Sequence, residues 1–227
     1  MERTGVDKAL VWLQPPYRRD IYESNAYVFH SAKTYPDKIL GFGWADTSLG
    51  VNHARDTVKK CCYEYGFFGV KLNGAQNSFC IDDPELSMPV IEEIARAGRI
   101  LALHVGADAY DFTHPYMVAK IAKRFPELTI LMVHMGGAGL PDLSNSAIET
   151  AGECPNTVLV GSSVNPVAVL KAVKALGPGR VCYGSDTPFG LMHVEKAKYD
   201  ALLDGEVSEE GKGMIMGGNL LRVLGAS

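Results

Sequence analysis

The sequence has no long apolar run, no basic cluster and no secretory leader, and each absence excludes a class of protein. No apolar segment approaches the roughly 20 residues that a membrane-spanning helix requires. Acidic residues outnumber basic ones, 26 to 22, so the net charge of −4 provides no positive surface for nucleic acid. The first residues, MERTGVDKAL, lack the apolar core of a signal peptide. We therefore expect a cytoplasmic protein that binds neither nucleic acid nor membranes.

Two common sequence motifs are also missing. The five cysteines form no CxxC pair and no zinc-finger spacing, which predicts reduced thiols that serve in packing. No GxGxxG or phosphate-loop pattern follows the first predicted strand. This absence weakens the case for a nucleotide-binding fold.

Short apolar runs alternate with longer amphipathic stretches along the whole chain. The runs are nearly continuous in apolar residues, as expected of parallel strands that are buried on both faces. They predict seven strands: Ala9–Trp12, Ile39–Trp44, Gly69–Leu72, Ile100–Val105, Thr129–Val133, Thr157–Val160 and Arg180–Tyr183.

Three of the intervening stretches have clear helical periodicity: Pro89–Ala97, Tyr116–Phe125 and Pro166–Leu176. Strand and helix in repeated alternation predict right-handed βαβ units and a parallel sheet. Seven strands at this spacing are compatible with an open doubly wound sheet or with most of a TIM-type (β/α)8 barrel. The missing glycine motif favours the barrel. No linker or change of composition divides the chain, so residues 1–227 are predicted to form one domain.

The chain begins within a repeating unit. Met1 to Gly5 is typical of the last turn of a helix, with Gly5 as its left-handed terminator, and a strand follows at once. The α/β barrel is therefore predicted to lack its first strand and most of its first helix in this sequence.

Three predicted strands end in residues that can bind a metal or transfer a proton. His104, His134 and Asp186 lie near the ends of the fifth, sixth and eighth barrel strands. A single histidine at a strand end is more often structural, but three such residues meet at the edge where barrel enzymes place their active sites. Neutral imidazoles and a carboxylate suit Zn²⁺ or a similar divalent ion.

Several motifs together resemble the amidohydrolase superfamily. The similarity is closest to its amidohydrolase-2 branch, which includes aminocarboxymuconate-semialdehyde decarboxylase-like enzymes. It covers essentially the whole chain, because GVDKALVW and GVKLNG resemble the second and fourth strands of that branch. The more specific motifs are LHVG, PELTILMVHMGG, RVCYGSDTPFG and the carboxy-terminal GGNLLRVL.

The resemblance implies a role for each strand-end residue. In the family, a metal ion is bound by an HxH pair on the first strand, a histidine on the fifth and an aspartate on the eighth. His104 and Asp186 match the last two ligands, and His134 matches the catalytic acid/base. Asp186 is also implied in catalysis, because it shares a proton with the attacking water. No HxH occurs in the sequence, so we expect weak metal binding.

Three basic residues are candidates for substrate binding. Lys71 ends the fourth strand, where binuclear members of the superfamily place a carboxylated lysine; here it is predicted to orient substrate or to be structural. Arg18 and Arg19 follow the second strand and could bind a substrate carboxylate, or they could simply be solvated.

The resemblance implies a metal-dependent hydrolase that acts on a small carboxylated molecule through metal-activated water, with one divalent ion, Zn²⁺ before others. The alternatives are a non-oxidative decarboxylase of the same branch and a barrel that binds without catalysis. A missing strand would expose two sheet edges, so we also expect a homodimer that covers the opening.

Overall fold

A parallel sheet of short strands forms the centre of the fold. The computed structural model describes residues 1–13, 20–106, 108–137 and 142–226. The strands are β1 (Ala9–Val11), β2 (Ile39–Gly41), β3 (Gly43–Ala45), β4 (Gly69–Leu72), β5 (Ile100–His104), β6 (Ile130–Val133), β7 (Thr157–Gly161) and β8 (Val181–Tyr183). All their pairings are parallel, as the alternation of strand and helix predicts.

The strands follow one another in chain order. β1 pairs with β2, and a six-stranded sheet runs from β3 to β8 in sequence. β2 and β3 are two halves of one extended segment separated by Phe42, whose N–H donates to the Val11 carbonyl. Counting that segment once, the structure has the seven predicted strands, each within one residue of its predicted ends.

Helices follow each extended segment and cover the outer face of the sheet. They are α1 (Ile21–Thr34), α2 (Val51–Lys59), α3 (Gly74–Asn77), α4 (Met88–Arg96), α5 (Tyr110–Thr113), α6 (Pro115–Arg124), α7 (Ser144–Glu153), α8 (Pro166–Leu176), α9 (Met192–Leu203), α10 (Glu209–Gly213) and α11 (Asn219–Leu224). Among the described residues no helix is both long and apolar enough to cross a membrane.

Helix α8 shows how local sequence sets these boundaries. The Asn165 side chain accepts a hydrogen bond from the Val167 N–H, and Pro166 occupies the first turn, where no intrahelical donor is needed. The helix ends at Gly177, whose φ of 82° is accessible at little cost only to glycine. These signals fix the position at which the chain enters β8.

The buried residues form two layers. One lies between the sheet and its helices and includes Val70 and Leu72 of β4. The other lies inside the curve of the sheet and is lined by Leu40, Phe42, Ile100, Ala102, Leu131, Val133, Val158, Val160 and Cys182. Because side chains alternate along a strand, Lys71 belongs to the inner side of β4.

Helix α11 packs against the amino-terminal ends of the strands. Its Leu224 is buried within the inner layer, and the Asn219 amide donates to the carbonyls of Pro178 and Val181 at 2.7 and 2.8 Å. The amino end of the barrel is thus covered by apolar side chains, which leaves the carboxyl ends of the strands for a site.

The described residues contain no ladder between β8 and β1, the two outer strands. The amino-terminal turn is a 3₁₀ helix, Glu2–Thr4, that ends at Gly5 with φ 63°, as predicted. That residues 1–227 form one domain, and that the barrel lacks its first strand and most of its first helix in this sequence, stay predictions.

Candidate functional site

Aromatic and ionisable side chains gather at the carboxyl ends of the strands. Trp12 follows β1, Trp44 lies within β3, and Lys71 and His104 lie at or near the ends of β4 and β5. His134 follows β6 directly. Parallel pairing brings these ends to one edge, and the His104 and His134 ring centroids are 4.6 Å apart.

The His104 imidazole is buried and has only one hydrogen-bonded nitrogen. Its Nε2 lies 2.8 Å from Oδ1 of Asp108, and this hydrogen bond lowers the pKa of the Asp108 carboxyl. A carboxylate can only accept, so Nε2 carries the proton. The buried Nδ1 has no hydrogen-bond partner among the described residues. His104 therefore has one buried ring nitrogen without a hydrogen-bond partner in the described part of the chain.

His134 is held as a neutral imidazole with a defined tautomer. Its Nδ1 lies 2.9 Å from the carbonyl oxygen of Ser162, which can only accept a hydrogen bond, so Nδ1 carries the proton and Nε2 a lone pair. Burial, reinforced by the charges of His104 and Lys71, lowers the His134 pKa to about 4. At neutral pH this side chain is a base with its lone pair on Nε2.

The backbone at His134 is a sharp turn. His134 has φ 70° and Met135 φ 38°, and the N–H of Gly136 donates to the Val105 carbonyl at 2.9 Å. Left-handed backbone is unfavourable for a non-glycine residue and occurs where surrounding contacts maintain it, often at functional sites. The turn directs the His134 imidazole towards Ser162, which directly follows β7.

Lys71 is a buried cation that faces two indole rings. The residue is 4% exposed, and Nζ lies 4.6 Å from the Trp12 ring centroid and 5.3 Å from that of Trp44. Burial lowers its pKa to about 8, although the charges of Asp186 and Asp108 act in the opposite direction. No ion pair or hydrogen bond engages Nζ within the described ranges.

Asp186 is half-buried in the loop after β8. Its Oδ2 accepts a hydrogen bond of 2.6 Å from the Ser163 hydroxyl, and both residues have left-handed backbone, with φ 52° and 51°. The negative charge of Asp186 raises the pKa of both Lys71 and His134. Asp186 therefore influences the same group of side chains electrostatically, from the loop after the outer strand β8.

The described residues do not form a complete metal site. They include no group of three or more His, Cys, Asp or Glu side chains arranged to hold an ion. The Nε2 of His104 is engaged by Asp108, and Oδ2 of Asp186 by Ser163. His104 and Asp186 are available as at most two ligands, whereas catalytic zinc usually has three from the protein.

Several contributors were not among the predicted site residues: Trp12, Trp44, Asp108, Ser162 and Ser163. The two tryptophans could have been predicted to lie at the site, because each stands at the end of a predicted strand, in ALVW and ILGFGW. Predicted substrate-binding residues Arg18 and Arg19 lie outside the described residues, so their role stays a prediction.

The lowered pKa of His134 predicts how stability depends on pH. The unfolded histidine binds a proton below pH of about 6.5, and the folded one only near 4, so acid favours the unfolded state across that window. This contribution to the free energy of unfolding is fully present above about 6.5 and falls by up to about 3 kcal/mol on acidification to 4. Urea unfolding at several pH values, compared with H134Q, will measure it. Equal pH slopes in both proteins would contradict the assignment.

A parallel α/β barrel whose strands present histidine, lysine and aspartate at their carboxyl ends has the architecture of a TIM-type barrel, with these side chains at the rim where that fold places its sites. The sequence profile of the amidohydrolase family matches residues 17–226, and the chain belongs to that family, in the amidohydrolase-2 branch that its motifs indicate.

Solved structures of similar fold support the same architecture. 5-Carboxyvanillate decarboxylase from Sphingomonas paucimobilis is 21% identical with a TM-score of 0.76, over 100% of this chain and 81% of that one. An uncharacterised TIM-barrel protein from Bordetella bronchiseptica is 20% identical with a TM-score of 0.80, over 99% and 80%. Dihydroxybenzoic acid decarboxylase from Polaromonas sp. JS666, solved with manganese and the inhibitor 2-nitroresorcinol, is 18% identical with a TM-score of 0.75, over 99% and 83%. The predicted TIM-type fold is confirmed.

Proposed function

We propose that this protein is a hydrolase of small carboxylated molecules in which His134 removes a proton from the attacking water. The observation that carries the proposal is the Nδ1–Ser162 carbonyl contact of 2.9 Å, which leaves the lone pair on Nε2. A histidine that is neutral at physiological pH and has a free Nε2 is suited to general-base catalysis.

Lys71 is the proposed partner of the substrate carboxylate. Its ammonium group lies at the carboxyl rim and lacks a paired anion among the described residues, so a substrate anion could take that place. The Trp12 and Trp44 rings beside it provide flat apolar surfaces. This combination favours a substrate with a carboxylate attached to a planar or conjugated body.

We also propose that full activity requires one divalent ion, with Zn²⁺ as the first to test. His104 and Asp186 are the proposed ligands within this chain, and further ligands must come from groups outside the described residues. The manganese in the Polaromonas decarboxylase structure supports metal dependence in proteins of this fold. Homodimer formation and a cytoplasmic location remain predictions alongside it.

Non-oxidative decarboxylation is the second candidate, because two of the structural neighbours are decarboxylases of aromatic acids. The two reactions differ in what they consume and release. Hydrolysis incorporates an oxygen atom from water into the product, whereas decarboxylation releases CO₂ and adds a proton to carbon.

The deciding experiment is a screen of hydroxylated benzoates and of carboxylated lactones and amides in H₂¹⁸O. The full chain is assayed with Zn²⁺, with Mn²⁺ and with chelator, and the products are measured by mass spectrometry and CO₂ detection. The proposal predicts ¹⁸O in a carboxyl product and no CO₂. Release of CO₂ without ¹⁸O incorporation would establish the second candidate instead, and turnover unchanged by chelator would contradict metal dependence.

Replacing Lys71 with methionine is expected to stabilise the protein while weakening substrate binding. A buried ammonium without an anionic partner opposes folding, so K71M should raise the free energy of unfolding by about 1–3 kcal/mol at neutral pH. The same change removes the proposed carboxylate partner and should raise KM at least about tenfold. Urea unfolding and steady-state kinetics test both effects. Lower stability with unchanged KM would indicate a structural lysine.

A further inference from the structure

Lys71 combines three features that the hydrolytic proposal does not use together. It is buried, it projects to the inner side of β4 at the carboxyl rim, and no carboxylate is paired with its Nζ among the described residues. Most buried lysines instead have an ion-pair partner, since an isolated buried charge is costly.

The surroundings of Nζ favour a reactive amine as well as a cation. The faces of Trp12 and Trp44, at 4.6 and 5.3 Å, attract the ammonium form, but they also exclude water from it. Burial lowers the pKa of the Lys71 ammonium to about 8, so about a tenth of the side chain is a neutral amine at pH 7. Lysines in desolvated apolar settings are the ones that form covalent intermediates with carbonyl compounds.

We propose that Lys71 is a covalent site for aldehydes and ketones with a planar or conjugated body, with which Nζ forms an imine. The nitrogen lone pair attacks the carbonyl carbon, and the C=O π electrons pass to oxygen, which is protonated. The C–O bond of this carbinolamine then breaks as the C=N bond forms. Both protons of the neutral amine leave with the carbonyl oxygen as one molecule of water, so no oxidant or reductant is consumed.

The side chains beside Nζ suit a flat, conjugated product. The indole rings of Trp12 and Trp44 lie beside the position that a conjugated imine would occupy. The inference concerns covalent binding alone, and it holds whether or not the site hydrolyses its substrate.

The probe is 4-formylbenzoate, used with cyanoborohydride to reduce the imine to a stable secondary amine. Each modified lysine gains the mass of the probe less one oxygen atom, and peptide mapping of the full chain locates it. The exposed Lys120 and Lys123 are internal controls, since ion pairs with Asp82 and Glu153 raise their pKa. At neutral pH we expect Lys71 to be labelled at least about tenfold faster than either, because it has a far larger fraction of neutral amine.

Two further measurements test whether the reaction takes place in a binding site. Benzoate, which has the carboxylate but no carbonyl to form an imine, should slow labelling of Lys71 and leave Lys120 and Lys123 unaffected. K71R, which keeps the cation and removes the nucleophile, should lose this adduct alone. Labelling of Lys71 no faster than the two surface lysines would overturn the proposal. Labelling that is insensitive to benzoate would overturn it as a binding site for planar molecules.

Discussion

Replacement of His134 by glutamine is expected to reduce kcat by about 10²- to 10⁴-fold, the range associated with loss of a general base. The glutamine amide can still donate to the Ser162 carbonyl, so the local hydrogen bond has a substitute. It has no basic lone pair at the Nε2 position, so water must attack the substrate without losing its proton to the protein. The substrate is the one identified by the ¹⁸O screen.

The matched control for this variant is H30Q. His30 is an exposed residue of α1, far along the chain from every strand end of the site, and the same chemical change there should leave kcat within about twofold. Circular dichroism of both variants checks that the fold is retained. If H134Q kept more than a tenth of the wild-type kcat, His134 could not be the base.

Substitution of Gly69 by alanine is expected to destabilise the protein by about 3 kcal/mol or more, or to prevent folding. Gly69 begins β4, and a Cβ atom there would overlap the carbonyl oxygen of Ile100 and the ring of Phe42. The Ile100 oxygen belongs to the adjacent strand, so relief would require the two strands to separate. Urea unfolding of purified G69A, or its yield in the soluble fraction, measures the effect.

Gly213 provides the control for Gly69. It closes α10 with helical backbone, φ −59°, and an added Cβ would meet no atom within 4 Å. G213A should therefore stabilise the protein by up to about 1 kcal/mol, through helix propensity. A G69A protein as stable as wild type would show that β4 and β5 can move apart to admit a methyl group.

The strands were predictable because their signal is local. GVKL and ILALH are nearly continuous apolar runs, and the structure places β4 and β5 on them. Helix α8 was predicted over Pro166–Leu176 from its helical periodicity, and it is found there; the structure adds that Asn165 caps its first turn and that Gly177 ends it. Such interactions join residues a few positions apart, so periodicity and cap residues suffice.

The division of β2 from β3 could not be predicted in the same way. ILGFGW is one uniform run, but its first half pairs with β1 and its second half with β4. The break depends on which strand is adjacent at each point, and that choice is made by tertiary packing. The residues of ILGFGW therefore do not by themselves indicate where the strand divides.

The edge of the sheet that carries the site was predictable from the sequence, but the contacts between its side chains were not. His104 and His134 were expected at one rim because parallel strands share a direction, and the rings are neighbours. The pairing of Asp108 with His104, and the placement of Lys71 beside two indoles, depend on side-chain orientations across separate loops and strands. The roles assigned to Asp186 and to the metal ligands remain predictions.

The junction at Phe42 also divides the sheet into two parts that open at different free energies. The β1–β2 ladder is three residues long, whereas β5 and β6 are each paired on both sides within the larger sheet. A short outer ladder opens at a lower free energy than a central one, so the amides of Ala9–Val11 should exchange with solvent well before those of β5. Trp12 directly follows this ladder. We expect opening of the β1–β2 ladder to move the Trp12 indole away from Lys71. Small molecules could then reach the rim while His104 and His134 keep their positions.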